Sequence, residues 1–135
     1  MFLEDWQGAI MKIFMIVDDS PVIRKVARRI FEGMGHIVSE AVDGLDALEK
    51  CNASMPDAII VDWDMPRMNG VDFITQFHQL RDSQNTKILF CTSEVNVAEM
   101  MKAKRAGCHG YIVKPFTRDI LSNGLMNVGI EAVAA

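Results

Sequence analysis

With 135 residues, half of them hydrophobic and 24% charged, the chain can form one folded domain without staples. The formal net charge of −4 weighs against nucleic-acid and membrane-surface binding, both of which favour basic surfaces. Cys51, Cys91 and Cys108 are odd in number and form no C-x-x-C pair, which excludes a disulfide framework and a zinc site. They read as small packing residues of a chain kept in a reducing, cytoplasmic compartment.

No apolar run approaches the roughly 18–20 residues of a membrane span. Residues 1–10 include Glu4 and Asp5 and lack a basic start, so they read as a short extension rather than a signal peptide. The domain is expected over 11–130, with 131–135 as a tail.

Along the chain, short Ile- and Val-rich runs alternate with longer amphipathic ones. Lys12–Val17 predicts the first strand. Ser20 then offers an N-cap with Pro21 at the first helical position. Ile23, Val26, Ala27, Ile30 and Met34 suggest one apolar face, and Gly33–Gly35 a stop. His36–Ala41 alternates and is more polar, as suits an edge strand. Asp43 can cap a second helix carrying Ala47 and Leu48. Ala58–Val61 is a buried strand, and a third helix is expected from Val71 to Leu80 with Ile74 and Phe77 inward. Lys87–Cys91 gives the fourth strand, Val95–Ala106 a fourth helix closed by Gly107, and Tyr111–Val113 the fifth strand. A last helix follows Pro115, with Ile120, Leu121, Leu125 and Val128 apolar.

Four strands are nearly continuously hydrophobic, as expected when both faces are covered. Five strand–helix units therefore predict an α/β, doubly wound, five-stranded parallel sheet with five helices. In such sheets ligands sit beyond the carboxyl ends of the strands. There the sequence places Asp18 and Asp19, Asp62, Thr92, and Lys114. Three converging carboxylates repel one another and raise their own pKa values. A divalent cation relieves that conflict, and hard oxygen donors suit Mg²⁺. With Mg²⁺ and Lys114 the charge of the three is formally balanced, and a carboxylate so placed can act as a nucleophile toward phosphorus.

The segments Ile16-Val17-Asp18-Asp19-Ser20, Asp62-Trp63-Asp64-Met65-Pro66-Arg67-Met68-Asn69-Gly70, Cys91-Thr92-Ser93 and Gly110-Tyr111-Ile112-Val113-Lys114-Pro115-Phe116 resemble the receiver domain of bacterial response regulators. The likeness spans about 11 to 130 and is strongest toward the chemotaxis members. It implies a flavodoxin-like strand order 2-1-3-4-5 and Mg²⁺ as cofactor. It also implies a histidine kinase or histidine phosphotransfer protein as donor, and an output partner protein that the sequence does not identify. By motif position Asp62 is the phosphoacceptor. Asp19, Asp62 and the Asp64 backbone carbonyl hold the metal, with Asp18 acting through water. Lys114 binds the phosphoryl group, while Thr92 and Tyr111 form the switch. The alternative for Tyr111 is an ordinary half-buried strand residue.

Asp64 and Glu94, two residues after the acceptor and the threonine, are expected to tune phosphoryl lifetime through their charge. Arg24 and Arg28 belong to a basic stripe on the first helix, either a dock for the donor or a solvated face. Met100, Lys104 and His109 are expected at the output surface; adjacent Met100 and Met101 cannot both point inward. A competing function is a haloacid-dehalogenase-type phosphatase, because Asp62-Trp63-Asp64 is a DxD after an apolar run. Against it, that motif normally follows the first strand, and here the acidic pair comes first. No separate output domain is expected after 130.

Overall fold

The computed structural model describes residues 11–94 and 96–131; the extension and most of the tail expected from the sequence lie outside them. Five parallel strands form one sheet in the order β2-β1-β3-β4-β5, as the likeness implied. They are β1 (Ile13–Val17), β2 (Ile37–Ala41), β3 (Ala58–Asp62), β4 (Lys87–Thr92) and β5 (Gly110–Val113). The helices are α1 (Pro21–Gly33), α2 (Gly44–Ala53), α3 (Gly70–Phe77), α4 (Val97–Ala106) and α5 (Arg118–Asn127), with a 3₁₀ turn at Ser83–Asn85.

Side-chain alternation along the central strands sorts the core into two layers. Phe14, Ile16, Ile60, Leu89 and Ile112 pack against Ala27 and Phe31 of α1 and Leu121 and Leu125 of α5. Met15, Val17, Ile59, Val61, Ile88 and Phe90 face Ala47 and Cys51 of α2, Phe73, Ile74 and Phe77 of α3, and Ala103 of α4. Cys51 and Cys91 are buried and burial raises all three thiols, Cys51 to about 12, so they pack rather than react.

Every helix starts on a side-chain cap: Ser20, Asp43, Asn69, Asn96 and Thr117 each accept a backbone N–H of the first turn. Asn96 therefore moves the start of α4 two residues beyond the expected Val95, which itself lies outside the described residues. Helix α3 ends at Phe77 rather than Leu80. The Gln79 and Leu80 amides bond Gln76 and Phe77, three residues back, and the chain tightens into turns leading to Asp82 in left-handed backbone. The inward face of α1 is centred on Ala27 and the fully buried Phe31, while Val26, expected inside, is 38% exposed.

Gly107 ends α4 in left-handed backbone (φ 113°), and a β-carbon there would fall 2.1 Å from His78 Nε2, which is 3.1 Å from the Gly107 carbonyl. Gly107→Ala is expected to lower stability by at least about 1 kcal/mol in urea unfolding. Trimming the ring in a Gly107→Ala/His78→Ala double variant removes the clash and should recover part of that loss, leaving the backbone cost.

Candidate functional site

Strand order dictates where the site forms. The chain leaves β1 toward β2 on one side and returns to β3 on the other, opening a crevice between the carboxyl ends of β1 and β3. Asp18 and Asp19 follow β1, and Asp62 is the last residue of β3. One oxygen from each of these carboxylates lies within 4.8 Å of the others.

Lys114, just beyond β5, reaches into this cluster. Its Nζ donates to Asp18 Oδ2 at 2.8 Å and to Asp62 Oδ1 at 3.1 Å. The other Asp18 oxygen accepts the Ser20 amide at 2.9 Å, so Asp18 is engaged on both sides and nearly buried. Backbone bonds fix the neighbouring loops: Trp63 N–H to the Cys91 carbonyl at 2.9 Å, and Lys114 N–H to the Thr92 carbonyl at 2.8 Å.

One ammonium does not neutralise three carboxylates. Burial, then the charge of Asp18, and more weakly that of Asp19, raise the Asp62 carboxyl above its ordinary value; Lys114 offsets only part of this. Burial works to lower the Lys114 ammonium, but its bonds to Asp18 and Asp62 outweigh it and hold the group above its usual range. Three clustered carboxylate oxygens beside a carbonyl-bearing loop, with a net deficit of positive charge, fit a hard divalent ion such as Mg²⁺.

Thr92 lines the same hollow of about 590 Å³ as Asp62, Asp64, Glu94 and Lys114. Its hydroxyl donates to the Glu94 carbonyl at 2.7 Å and accepts the Glu94 amide at 3.2 Å, so it is turned into its own loop. Asp64 and Glu94 are exposed at the mouth. Glu99 and Lys102 of α4 and Asp72 of α3 join that rim; sequence reading did not include them because they become neighbours only when the two loops meet.

Tyr111 is 45% exposed, its ring centroid 6.0 Å from that of Phe90. Together with Met100, Met101, Lys104 and His109 it lines a second, mostly apolar hollow of about 370 Å³. Met100 packs partly on the core and Met101 is exposed, the division that adjacency on a helix requires. His109 Nδ1 accepts the Ile88 amide at 3.0 Å, tying it to β4.

Arg24 and Arg28 are committed within the molecule. Arg24 donates to the Asp18 carbonyl at 2.7 Å and to Glu40 at 2.9 Å, while Arg28 donates to Glu40 at 2.6 Å and to Glu32 at 2.9 Å. Burial acts to raise Glu40, but the two guanidiniums prevail and hold it below the usual carboxylate value. Lys25 and Arg29, on the same helix, are exposed. The Arg24 bond to the loop bearing Asp18 and Asp19 escaped sequence reading, since its partner is a backbone carbonyl.

A receiver-type signalling domain is what this sheet and its acidic crevice define together. The response regulator receiver domain family matches residues 14–125, and the chain belongs to it. Chemotaxis protein CheY1 of Helicobacter pylori is 34% identical over 113 residues, covering 82% of this chain and 91% of the relative. The structure of chemotaxis protein CheY4 of Vibrio cholerae superposes with a TM-score of 0.84 at 33% identity, over 88% of this chain and 99% of that one. The receiver domain of sensor histidine kinase PA1611 of Pseudomonas aeruginosa shares the fold (TM-score 0.79, 22% identity, 89% and 99% covered); that domain has a magnesium ion coordinated in its active-site cleft. The chain is a CheY-like signalling module of the two-component kind, which removes the phosphatase alternative.

The raised Asp62 value sets the sign of a pH effect. The folded protein binds this proton more tightly than the unfolded chain, so the contribution is stabilising below the ordinary carboxylate value. It is lost as pH rises through the folded value. In EDTA, Asp62→Asn should abolish that step and raise the melting temperature near neutral pH by a few degrees, on the order of 1 kcal/mol. Mg²⁺ should stabilise the wild type and not the variant. Scanning calorimetry checks both, and a variant less stable than wild type in EDTA would contradict the repulsion argument.

Proposed function

We propose that Asp62 accepts a phosphoryl group from the phosphohistidine of a kinase or phosphotransfer protein, in the cytoplasm, and thereby changes the chain's affinity for a partner protein. The observation that carries this is Lys114 Nζ bridging Asp18 and Asp62 at 2.8 and 3.1 Å, a fixed cation beside a buried, crowded carboxylate.

An Asp62 oxygen attacks phosphorus as the bond to the donor imidazole nitrogen breaks; the electron pair of that bond goes to the nitrogen, which takes a proton from water, leaving an acyl phosphate and a neutral imidazole. Such transfer asks mainly for alignment and charge neutralisation. Lys114 is placed to pair with the added phosphoryl oxygens, and Asp18 keeps the ammonium oriented. Asp19, Asp62 and the Asp64 carbonyl would hold Mg²⁺, with Asp18 through water, and the ion when bound supplies the remaining neutralising charge. Self-phosphorylation from small phosphodonors and slow self-dephosphorylation follow from the same groups.

The signal leaves through Thr92. A phosphoryl group on Asp62 competes with the Glu94 carbonyl for its hydroxyl, and Tyr111 can then turn from solvent toward the space behind it. The surface that responds is the hollow between α4 and β5, with Met100 and Met101 as adaptable apolar contacts beside Lys104 and His109. Donor docking beside α1 falls to the exposed Lys25 and Arg29 rather than to Arg24 and Arg28. Asp64 and Glu94 add negative charge at the mouth and tune phosphoryl lifetime.

Incubation with Mg²⁺ and acetyl phosphate should add one phosphoryl group, and mass spectrometry should map it to the peptide bearing Asp62. Asp62→Asn should abolish the label, and Thr92→Ala should retain it while losing phosphorylation-dependent partner capture. Label persisting in Asp62→Asn would overturn the assignment. Asp64→Asn should weaken Mg²⁺ in a calorimetric titration by severalfold, a modest effect for an exposed carboxylate; unchanged affinity would leave Asp64 as a solvated charge.

A further inference from the structure

The loop from Asp62 to the α3 cap Asn69 carries the Asp64 carbonyl, and its ends are fixed: Trp63 N–H bonds the Cys91 carbonyl at 2.9 Å, and Gly70 N–H bonds the Trp63 carbonyl at 3.1 Å. Its middle has no strand or helix to hold it. There Arg67 adopts left-handed backbone, φ 67°, a conformation that side chains other than Asn and Asp seldom take.

What offsets that strain lies on another element. Arg67 Nε donates to Asp43 Oδ2 at 2.7 Å, and Arg67 Nη2 bonds the same oxygen. Asp43 is itself a built partner: its side chain is only 5% exposed, and its other oxygen caps α2 by accepting the Asp46 amide at 2.9 Å. The next residue repeats the contact in apolar form. Met68 lies over Gly44, the first residue of α2, where a β-carbon would come within 2.9 Å of Met68 Sδ. Two consecutive loop residues, one charged and one apolar, thus seat on the start of α2.

We propose that Arg67, gripped by Asp43, is a positioning residue: this strut from the α2 cap fixes the acceptor loop and with it the Asp64 carbonyl. The inference rests on the reading of Asp18, Asp19 and Asp62 as a magnesium-dependent phosphoacceptor site. A carbonyl ligand has no rotamer with which to correct its own position, and Mg²⁺ demands near-ideal geometry. Loop placement therefore decides how well that ligand serves.

Two variants separate positioning from stability. Asp43→Asn keeps an acceptor for the Asp46 amide, since Asn caps a helix about as well as Asp, but removes the charge that Arg67 grips. Arg67→Gly removes the grip while suiting left-handed backbone. Each should bind Mg²⁺ roughly tenfold more weakly by calorimetric titration, the size expected for an outer-shell partner. The double variant should be no weaker than either single one. Arg67→Gly should still unfold cooperatively in EDTA, so that weaker Mg²⁺ binding is not loss of the fold, and amide exchange between residues 64 and 68 should accelerate. Wild-type Mg²⁺ affinity in Arg67→Gly, with the wild type binding normally, would overturn the strut and leave the site reading standing. Failure of the wild type itself to bind Mg²⁺ would overturn both.

Discussion

Three carboxylates gathered at one end of a sheet, two of them bridged by a single ammonium, are the constraint around which this structure is built. Lys114 crosses from β5 to touch Asp18 and Asp62, elements 96 and 52 residues away in sequence, and it still leaves the pocket short of positive charge. That shortfall is a cost to the fold and a source of affinity for a divalent cation. The same crowding that raises Asp62 gives the cluster something to gain from a nearby cation.

The rest of the fold serves to keep that arrangement from relaxing. Both faces of the central strands are packed by large side chains, so the strand ends cannot splay to separate the charges. Arg24 holds the carbonyl of Asp18, and backbone bonds tie the first residues after β3 and β5 to the end of β4. Thr92 and Tyr111, the proposed switch, differ in kind from that frame. The Thr92 hydroxyl bonds Glu94 of its own loop and the Tyr111 side chain is 45% exposed, so both side chains can move without dismantling the core. A rigid acidic floor with a movable rim suits a receiver-type signalling module.

Much of this was legible in the sequence because the signals were local. Buried strands show as continuous Ile and Val runs, caps as single polar residues before amphipathic stretches, and the acidic set as polar residues at strand ends. Receiver-type motifs then added strand order and residue roles. What stayed hidden depends on tertiary proximity. Asp43 reads as a helix cap and Arg67 as a loop cation, and nothing in their spacing of 24 residues pairs them. Arg24 and Arg28 read as a basic stripe, yet Glu40 on the edge strand β2 claims both. On α1, Ile23, Ala27, Ile30 and Met34 face the core as the sequence suggests, whereas Val26 is exposed and Phe31 packs on β1 instead. Asn96 displaces the start of α4 because a capping oxygen outweighs the helix propensity of the residues before it.

Electrostatic crowding at Asp62 is the central claim, and carboxyl ¹³C NMR titration of the selectively labelled protein measures it most directly. Asp62 should titrate above the exposed carboxylates in EDTA and shift below them when Mg²⁺ is added. An Asp62 that titrates with the exposed carboxylates, and stays there with Mg²⁺ present, would contradict it.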